Sequence, residues 1–358
     1  MKRKYYILTI NIGSTSTKLG LFANEISLFK ETVNHKVEEL SNIGGMSNKL
    51  SFHRQIIDHI LARRSKNEER IDLVVSRGGL THPLNSGPYL ITDGMCQDLR
   101  GGKYGWHPSN LGPLLAHQIG QERQIPAIIF DSPVTDEMEP IARISGLREI
   151  ERTAAFHVLN QKSAARKAAT KFRKEYKEMN FIVAHLGGGI TICAHRQGRI
   201  IDGTHGLSEG PFSPQRSGAL PLKLVIELCF SGRFKKEELE AHLIGHGGLV
   251  SYLGTHNINE IEERIKEGDK EAHLTIQAMC YQIGKDIGAM ASVLKGRVDA
   301  IVMTGNLCHS SMLLEDIKAN VEFLAPIEIF PGDDELENLA LGGLEVLTSK
   351  SLSAIQDY

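Results

Sequence analysis

Among its five cysteines (Cys96, Cys193, Cys229, Cys280 and Cys308) the 358-residue sequence has no CxxC pair. Neither a disulfide framework nor a thiolate zinc site is indicated. Cys193 and Cys229 stand in apolar runs and are expected to be small core residues. Also lacking is an apolar stretch of ~20 residues, so no membrane-spanning helix is expected. The basic start, 1–6, is followed by strand-like alternation and not by an apolar signal core, which points to a cytoplasmic protein. Charge of one sign is missing too: 41 Lys+Arg stand against 43 Asp+Glu, a net −2. No basic field draws in nucleic acid or anionic lipid, so neither is an expected partner. Two nucleotide motifs are absent, GxxxxGK[ST] and GxGxxG. Their absence removes P-loop and dinucleotide-binding proteins from consideration.

What remains is ordinary globular material, 41% hydrophobic and 23% charged. At this length two domains of about 150 to 200 residues are the natural division. Glycine is in excess, with 35 residues, about a tenth of the chain against a usual ~7%. Hydrophobic periodicity predicts strands at 5–11, 17–22, 27–34, 71–75 and 127–130, with helices at 50–64, 110–123 and 160–176. The basic outer face of 160–176 reads as solvated surface. Strands at 181–185, 190–195, 198–202 and 300–304 follow, with helices at 222–230, 258–266, 271–294 and 335–347.

The informative feature is an internal echo. Ile10-Asn11-Ile12-Gly13-Ser14-Thr15 and Ala184-His185-Leu186-Gly187-Gly188-Gly189 each place a polar residue at a strand end before a small-residue turn. Two similar α/β halves are implied, each opening with a β-hairpin. The expected domains are 1–150 and 151–334, with the last helix, about 335–350, packing back on the first half.

Small residues matter at such turns because they let backbone N–H groups crowd around a phosphate. The first turn adds the hydroxyls of Ser14 and Ser16 and the ammonium of Lys18, and the second adds bare glycine backbone. Gly305, after a strand, supplies a third position. One such loop is a plain turn, but three at strand ends in two echoing halves point to a nucleotide phosphate cradle. Two other patterns fail. Gly206-Leu207-Ser208-Glu209-Gly210 matches GxSxG, but no strand leads directly into it, and Pro211 and Pro214 break any helix after it. His242 and His246 have zinc-helix spacing, yet the glycines around them favour a surface loop.

Arg77, Arg216, His107, His157 and His185 stand at element ends. Each alone suits a structural hydrogen bond, but together they supply the donors that a moving phosphoryl group requires. Asp131 closes a strand, where carboxylates point into active-site crevices. Glu335 or Glu337 opens the last helix, where an acid also serves as a cap. Two carboxylates near phosphates would hold Mg²⁺.

These residues resemble the acetate and butyrate kinase family. The 7–19 segment ILTINIGSTSTKL is similar to its first phosphate segment, and VAHLGGGITI at 183–192 with Asp202-Gly203-Thr204 to its second. IVMTGN at 301–306 is similar to its adenosine segment. VVSRGGLTHPLNSGPYLI, FDSPVTDEM, SEGPFSPQRSGALP, GGLVSYLGT and FPGDDELENLALGG resemble the butyrate kinase branch more than the acetate kinases. The resemblance implies a two-domain actin-like, sugar-kinase-like (ribonuclease H-like) α/β ATPase fold with a duplicated core, in a homodimer or larger homo-oligomer. It implies reversible phosphoryl transfer from ATP, with Mg²⁺, to a short carboxylate, giving an acyl phosphate and ADP. Carried onto this sequence, Asn11, Gly13, Ser14, Ser16, Lys18, Gly187, Gly188, Gly189 and Gly305 bind ATP and phosphate. His107, Arg77 and Arg216 lie on the substrate side. Arg77, Asp131, His157, His185 and Arg216 carry the transfer, and Asp131 and Glu335 (or Glu337) attend the metal. The family's arginine before Gly-Gly falls on Val74, and Arg77 stands in for it by position. Asn306 replaces a second glycine in the adenosine segment. Acetate or propionate is the alternative substrate, and an ATP-binding regulator or ATPase on the same scaffold is the rival from another class.

Overall fold

The computed structural model describes residues 3–13, 16–36, 43–64, 70–348, 355, 356 and 358. The chain divides into two compact units, 1–136 with 334–358, and 137–333.

In the first unit a β-branched and leucine-rich run forms strand β1 (Tyr6–Ile12), which returns as β2 (Ser16–Ala23) and continues as β3 (Ile26–Asn34). Strands β4 (Leu73–Ser76), β5 (Pro88–Leu90) and β6 (Ala127–Phe130) complete a sheet of order β3-β2-β1-β4-β6-β5. The β1–β2–β3 meander is antiparallel, while β4 joins β1, and β6 joins β4, in parallel. Side chains alternate across the pleat. Leu8, Ile10, Ile12 and Val74 share one core with Leu50, Ile57, Leu111, Leu114 and Leu115 of the helices Met46–Arg64 and Leu111–Arg123. On the other face the helix Glu335–Thr348 comes close to the sheet through two glycines. A Cβ on Gly342 would meet the Phe130 ring, and one on Gly343 would meet Val75, Ile7 and Leu73.

The second unit repeats the plan. Strands β7 (Asn180–Leu186), β8 (Ile190–Arg196) and β9 (Arg199–Gly203) form the meander. Strands β10 (Ala300–Gly305) and β11 (Ile327–Pro331) add in parallel, in the order β11-β10-β7-β8-β9. Ile182, Ala184, Ile192 and Ala194 pack against the long helix Lys270–Val293 and the helix Ser311–Val321. Phe181, Val183, Ala300 and Val302 pack against the helix Val158–Lys171.

Several expectations are corrected. Cys229 is exposed, because the helix Leu222–Cys229 that carries it buries no residue at all. The Val158–Lys171 helix is not simply basic and solvated: Lys162 is 2% exposed, where Glu137 at 2.7 Å balances its charge. His242 belongs to a helix, Lys236–Leu243, that begins before the glycines which suggested a loop. The rejection of GxSxG, by contrast, holds: no strand-to-helix elbow forms, and Ser208 sits in a local turn where its hydroxyl meets His205 Nδ1 at 3.0 Å. The helix Asp93–Gly101, capped by Thr92 with two glycines in its sequence, escapes the periodicity, as does the edge strand β11, which ends on a proline.

Candidate active site

The first unit gathers three of the expected residues around the carboxylate of a fourth. Antiparallel register sets Asn11 of β1 directly opposite Lys18 of β2. Parallel pairing of β4 on β1 brings Arg77, just past Ser76, to the same strand ends, where its N–H donates to Ile10 O at 3.3 Å. Glu335 enters from the first turn of the Glu335–Thr348 helix, where an acid complements the positive end of the dipole. Asp334, not Glu335, does the capping: its Oδ1 accepts from the Glu337 N–H at 3.0 Å. Glu335 is thereby free to take Asn11 Nδ2 at 2.5 Å, Lys18 Nζ at 2.9 Å and Arg77 Nη1 at 2.7 Å. Burial by itself would raise the Glu335 carboxyl, but the charges of Arg77 and Lys18, with hydrogen bonds from Lys18 and Asn11, hold it below its ordinary value. Lys30 pairs with the capping Asp334.

The turn between β1 and β2 is closed by the Gly13 N–H donating to Ser16 O at 2.9 Å. Ser14 lies outside the described residues. His107 precedes the short 3₁₀ turn Pro108–Asn110, and its Nδ1 accepts from the Ser109 N–H at 3.2 Å. Desolvation, and then the charge of Arg77, lower its pKa, so its ring is near that guanidinium and neutral at pH 7. Asp131, 1% exposed and at φ +43°, directly follows β6. Its Oδ1 accepts from Ser86 Oγ at 2.5 Å and from the Gly87 N–H at 3.0 Å, which turns the carboxylate toward that loop.

The second unit assembles the rest at its β7–β8 hairpin. In the triple-glycine turn the Gly187 N–H reaches Gly189 O at 3.2 Å. Arg216 lies against the turn so closely that a Cβ on Gly189 would fall 2.1 Å from its Nη1. The same Nη1 donates to Gly206 O at 2.6 Å, and burial lowers the guanidinium pKa. His185, 4% exposed on β7, stacks on His157 with ring centroids 3.9 Å apart and planes 16° from parallel. His157 occupies the position just before the Val158–Lys171 helix without capping it. Gly305 ends β10 at φ +97°, with Leu186 O only 2.3 Å from where a Cβ would stand, so a side chain there is excluded twice over. Asn306 follows it, exposed, in a short 3₁₀ turn.

The structure therefore brings Asn11, Lys18, Arg77 and Glu335 together in one unit, and His157, His185, Gly187, Gly188, Gly189 and Arg216 in the other. Sequence reasoning missed Asn160, which meets His185, Thr191, which lies opposite His185 across the hairpin and meets His157, and Gln161, which donates to Thr191. The available signals were the i, i+4 spacing of His157 and Gln161 and the strand period linking Thr191 to His195.

Residues 147–356, more than half of the chain, match the model of the acetokinase family. An acetate kinase structure from Porphyromonas gingivalis superposes with a TM-score of 0.79 at 19% identity, covering 96% of this chain and 100% of that one. A propionate kinase from Francisella tularensis gives 0.75 at 19% identity, over 94% and 98% of the two chains. An acetate kinase from Entamoeba histolytica gives 0.71 at 16% identity, over 94% and 98%. The two mixed sheets with their helices are the actin-like, sugar-kinase-like ATPase fold that the sequence resemblance implied. Among the described residues no helix is long and apolar enough to cross a membrane. The chain belongs to the acetokinase family, and so to the carboxylate kinases.

Proposed function

We propose that this protein is a butyrate kinase, transferring the γ-phosphoryl of ATP reversibly to butanoate or a branched relative to give the acyl phosphate and ADP. The observation that carries the reading is the set of cations and imidazoles beyond the phosphate turns. Arg216 lies against Gly189, His157 is stacked on His185, and Arg77 already holds a carboxylate, that of Glu335. An ATP-driven switch needs the phosphate turns but not this set. The butyrate choice rests on the sequence segments similar to that branch. The solved structures with similar folds are named acetate and propionate kinases, which makes those acids the second reading.

A carboxylate acceptor, with a pKa near 4.3, is ionised at pH 7 and needs no general base. The task is to bring one anion in line with another. In this reading Arg77 and Arg216 bind the acceptor carboxylate and the equatorial phosphoryl oxygens by bidentate hydrogen bonds. His157 donates to the phosphoryl group in flight beside the stacked ring of His185, and the backbone of Gly187, Gly188 and Gly189, with Lys18 and Ser16, receives the nucleotide phosphates. His107, beside Arg77, lines the acceptor side.

The residues fit an Mg²⁺–nucleotide. Among the described residues no three His, Cys, Asp or Glu side chains cluster as a metal cage, whereas Mg²⁺ is usually held by phosphates and waters with one or two carboxylates. Asn11 Oδ1 is buried without a hydrogen-bond partner, an acceptor suited to a metal-bound water. Asp131 and Glu335 would supply the carboxylates. The ion would offset charge on the phosphates.

A homodimer is part of the same reading. The helix Leu222–Cys229 buries nothing, and Leu222, Leu224, Ile226 and Phe230 are 69%, 59%, 50% and 87% exposed. Large apolar side chains exposed together on one element mark an interface, and a second copy is the expected cover.

The test is ATP- and Mg²⁺-dependent acyl phosphate formation, trapped as hydroxamate, across acetate, propionate, butyrate, isobutyrate and isovalerate. A maximum at four or five carbons is expected. A maximum at acetate or propionate would transfer the assignment to the second reading, and no product with any acid, despite ATP binding, would favour the ATPase switch.

A further inference from the structure

The second unit holds a buried polar chain that packing a helix on a sheet does not require. The helix Val158–Lys171 covers the sheet face that carries Phe181 and Val183. By the strand period, His185, Thr191 and His195 belong to that same face. Thr191 and His195, and Gln161 on the helix, are each 0% exposed. Polar groups buried this deeply carry a large cost unless every one is satisfied. Here they join end to end. Tyr176 Oη meets His195 Nδ1 at 2.7 Å, and His195 Nε2 meets Gln161 Oε1 at 2.9 Å. Gln161 Nε2 then reaches Thr191 Oγ1 at 2.7 Å, and Thr191 Oγ1 meets His157 Nδ1 at 3.0 Å.

Donors and acceptors can be assigned along the whole chain. The Gln161 amide nitrogen also faces the backbone carbonyl of Thr191 at 3.3 Å, which only accepts. Its amide oxygen therefore turns to His195, whose Nε2 carries the hydrogen. Burial first, then the charges of Lys162 and Arg166, keep the His195 pKa well below its ordinary value, so its ring is neutral and its Nδ1 is bare. Tyr176 donates to that Nδ1. At the other end the Thr191 hydroxyl accepts from Gln161, so its single hydrogen goes to His157 Nδ1, the acceptor it meets among the described residues.

We infer that Thr191, oriented by Gln161 and His195, is a positioning residue that holds neutral His157 in the tautomer protonated on Nε2. The ring next to it is set the opposite way. Asn160 Nδ2 donates to Gly332 O at 3.4 Å, so its Oδ1, at 2.8 Å from His185 Nδ1, receives a hydrogen from that nitrogen. In their neutral forms the two stacked imidazoles thus present unlike outer nitrogens: a donor on His157 and a lone pair on His185. The consequence for catalysis rests on the proposed phosphoryl transfer, in which the Nε2–H of His157 is the donor to the moving group. The tautomer itself does not depend on that reading.

The test has two arms. In ¹⁵N-histidine-labelled protein, with His157 assigned by the signal lost in His157→Gln, long-range ¹H–¹⁵N correlations should show a bare Nδ1 and a protonated Nε2. A hydrogen on Nδ1 of the neutral His157 ring overturns the inference. In the assay above, Thr191→Val should lower kcat at least about tenfold while the KM values for ATP and acid stay within about twofold, and Thr191→Ser should recover most of the loss. Wild-type kcat in Thr191→Val, or a loss carried by KM alone, overturns it as well. Should Thr191→Val fail to fold, the wild-type spectrum still decides. An enzyme that makes no acyl phosphate while His157 shows the expected tautomer would overturn the function and leave the positioning intact.

Discussion

Glu335 meets Asn11, Lys18 and Arg77 at once, and its side chain is 13% exposed. Since its folded pKa lies below the ordinary 4.5, the interaction contributes stability above that ordinary value and loses it as pH falls through the folded pKa. Glu335→Gln should therefore cost about 1 to 3 kcal/mol in urea unfolding at pH 7. The cost should shrink as the wild type is itself protonated in acid. An equal deficit at pH 7 and pH 3 would show that the charge is not what Arg77 and Lys18 recognise. Two glycines separate binding from folding in the same way. Alanine at Gly189 would strike only the far end of the Arg216 side chain, whereas at Gly305 it would strike backbone at φ +97°. Gly189→Ala should keep its circular dichroism and lose kcat, while Gly305→Ala should lose about 1 to 3 kcal/mol of stability. The turns that receive these glycines were legible in the sequence, because small residues at strand ends are a local signal. The partners of Glu335 were not, because they depend on the register that sets Asn11 against Lys18 and on the cap falling to Asp334.

Among elements, the Val158–Lys171 helix shows most clearly where sequence reading stops. Its basic residues suggested a solvated face, yet Lys162 is anchored to Glu137 and also donates to Gly198 O at 3.1 Å. Nothing local says that an acid 25 positions earlier is waiting in the fold. Removing one partner strands the other, so Lys162→Met should destabilise by about 3 to 5 kcal/mol. Adding Glu137→Leu should recover most of it, and a double-mutant cycle by chemical denaturation measures the coupling. If Lys162→Met alone is neutral, the pair is not the helix's anchor. The strand–turn–strand units were far easier to read, since β-branched runs with period two fix both type and face. The helix Asp93–Gly101 and strand β11 were lost because glycine and proline inside short elements look like punctuation.

At the scale of the whole molecule the two halves repeat one topology, a three-stranded meander extended by parallel strands. The echo of two hairpin sequences was enough to see that duplication. The proposed assembly rests, in the structure, on exposed apolar side chains of the helix Leu222–Cys229. If a second copy covers the Leu222–Cys229 helix, Leu224→Glu with Phe230→Asp should convert dimers to monomers in light scattering, with secondary structure retained. Dimers that persist in that variant would move the interface elsewhere.

The thiols offer a way to watch this happen without mutation. Burial raises the pKa of Cys96 to about 11 and of Cys280 and Cys308 to about 12, and it raises that of Cys193 further still. Cys229 alone is exposed, at the end of the apolar helix. Thiolate is the reactive form, so a maleimide dye added to the native protein should attach to one sulfur per chain. If a second copy covers this helix, the rate of attachment should fall as protein concentration rises, and the midpoint of that fall would read out the dissociation constant of the proposed dimer.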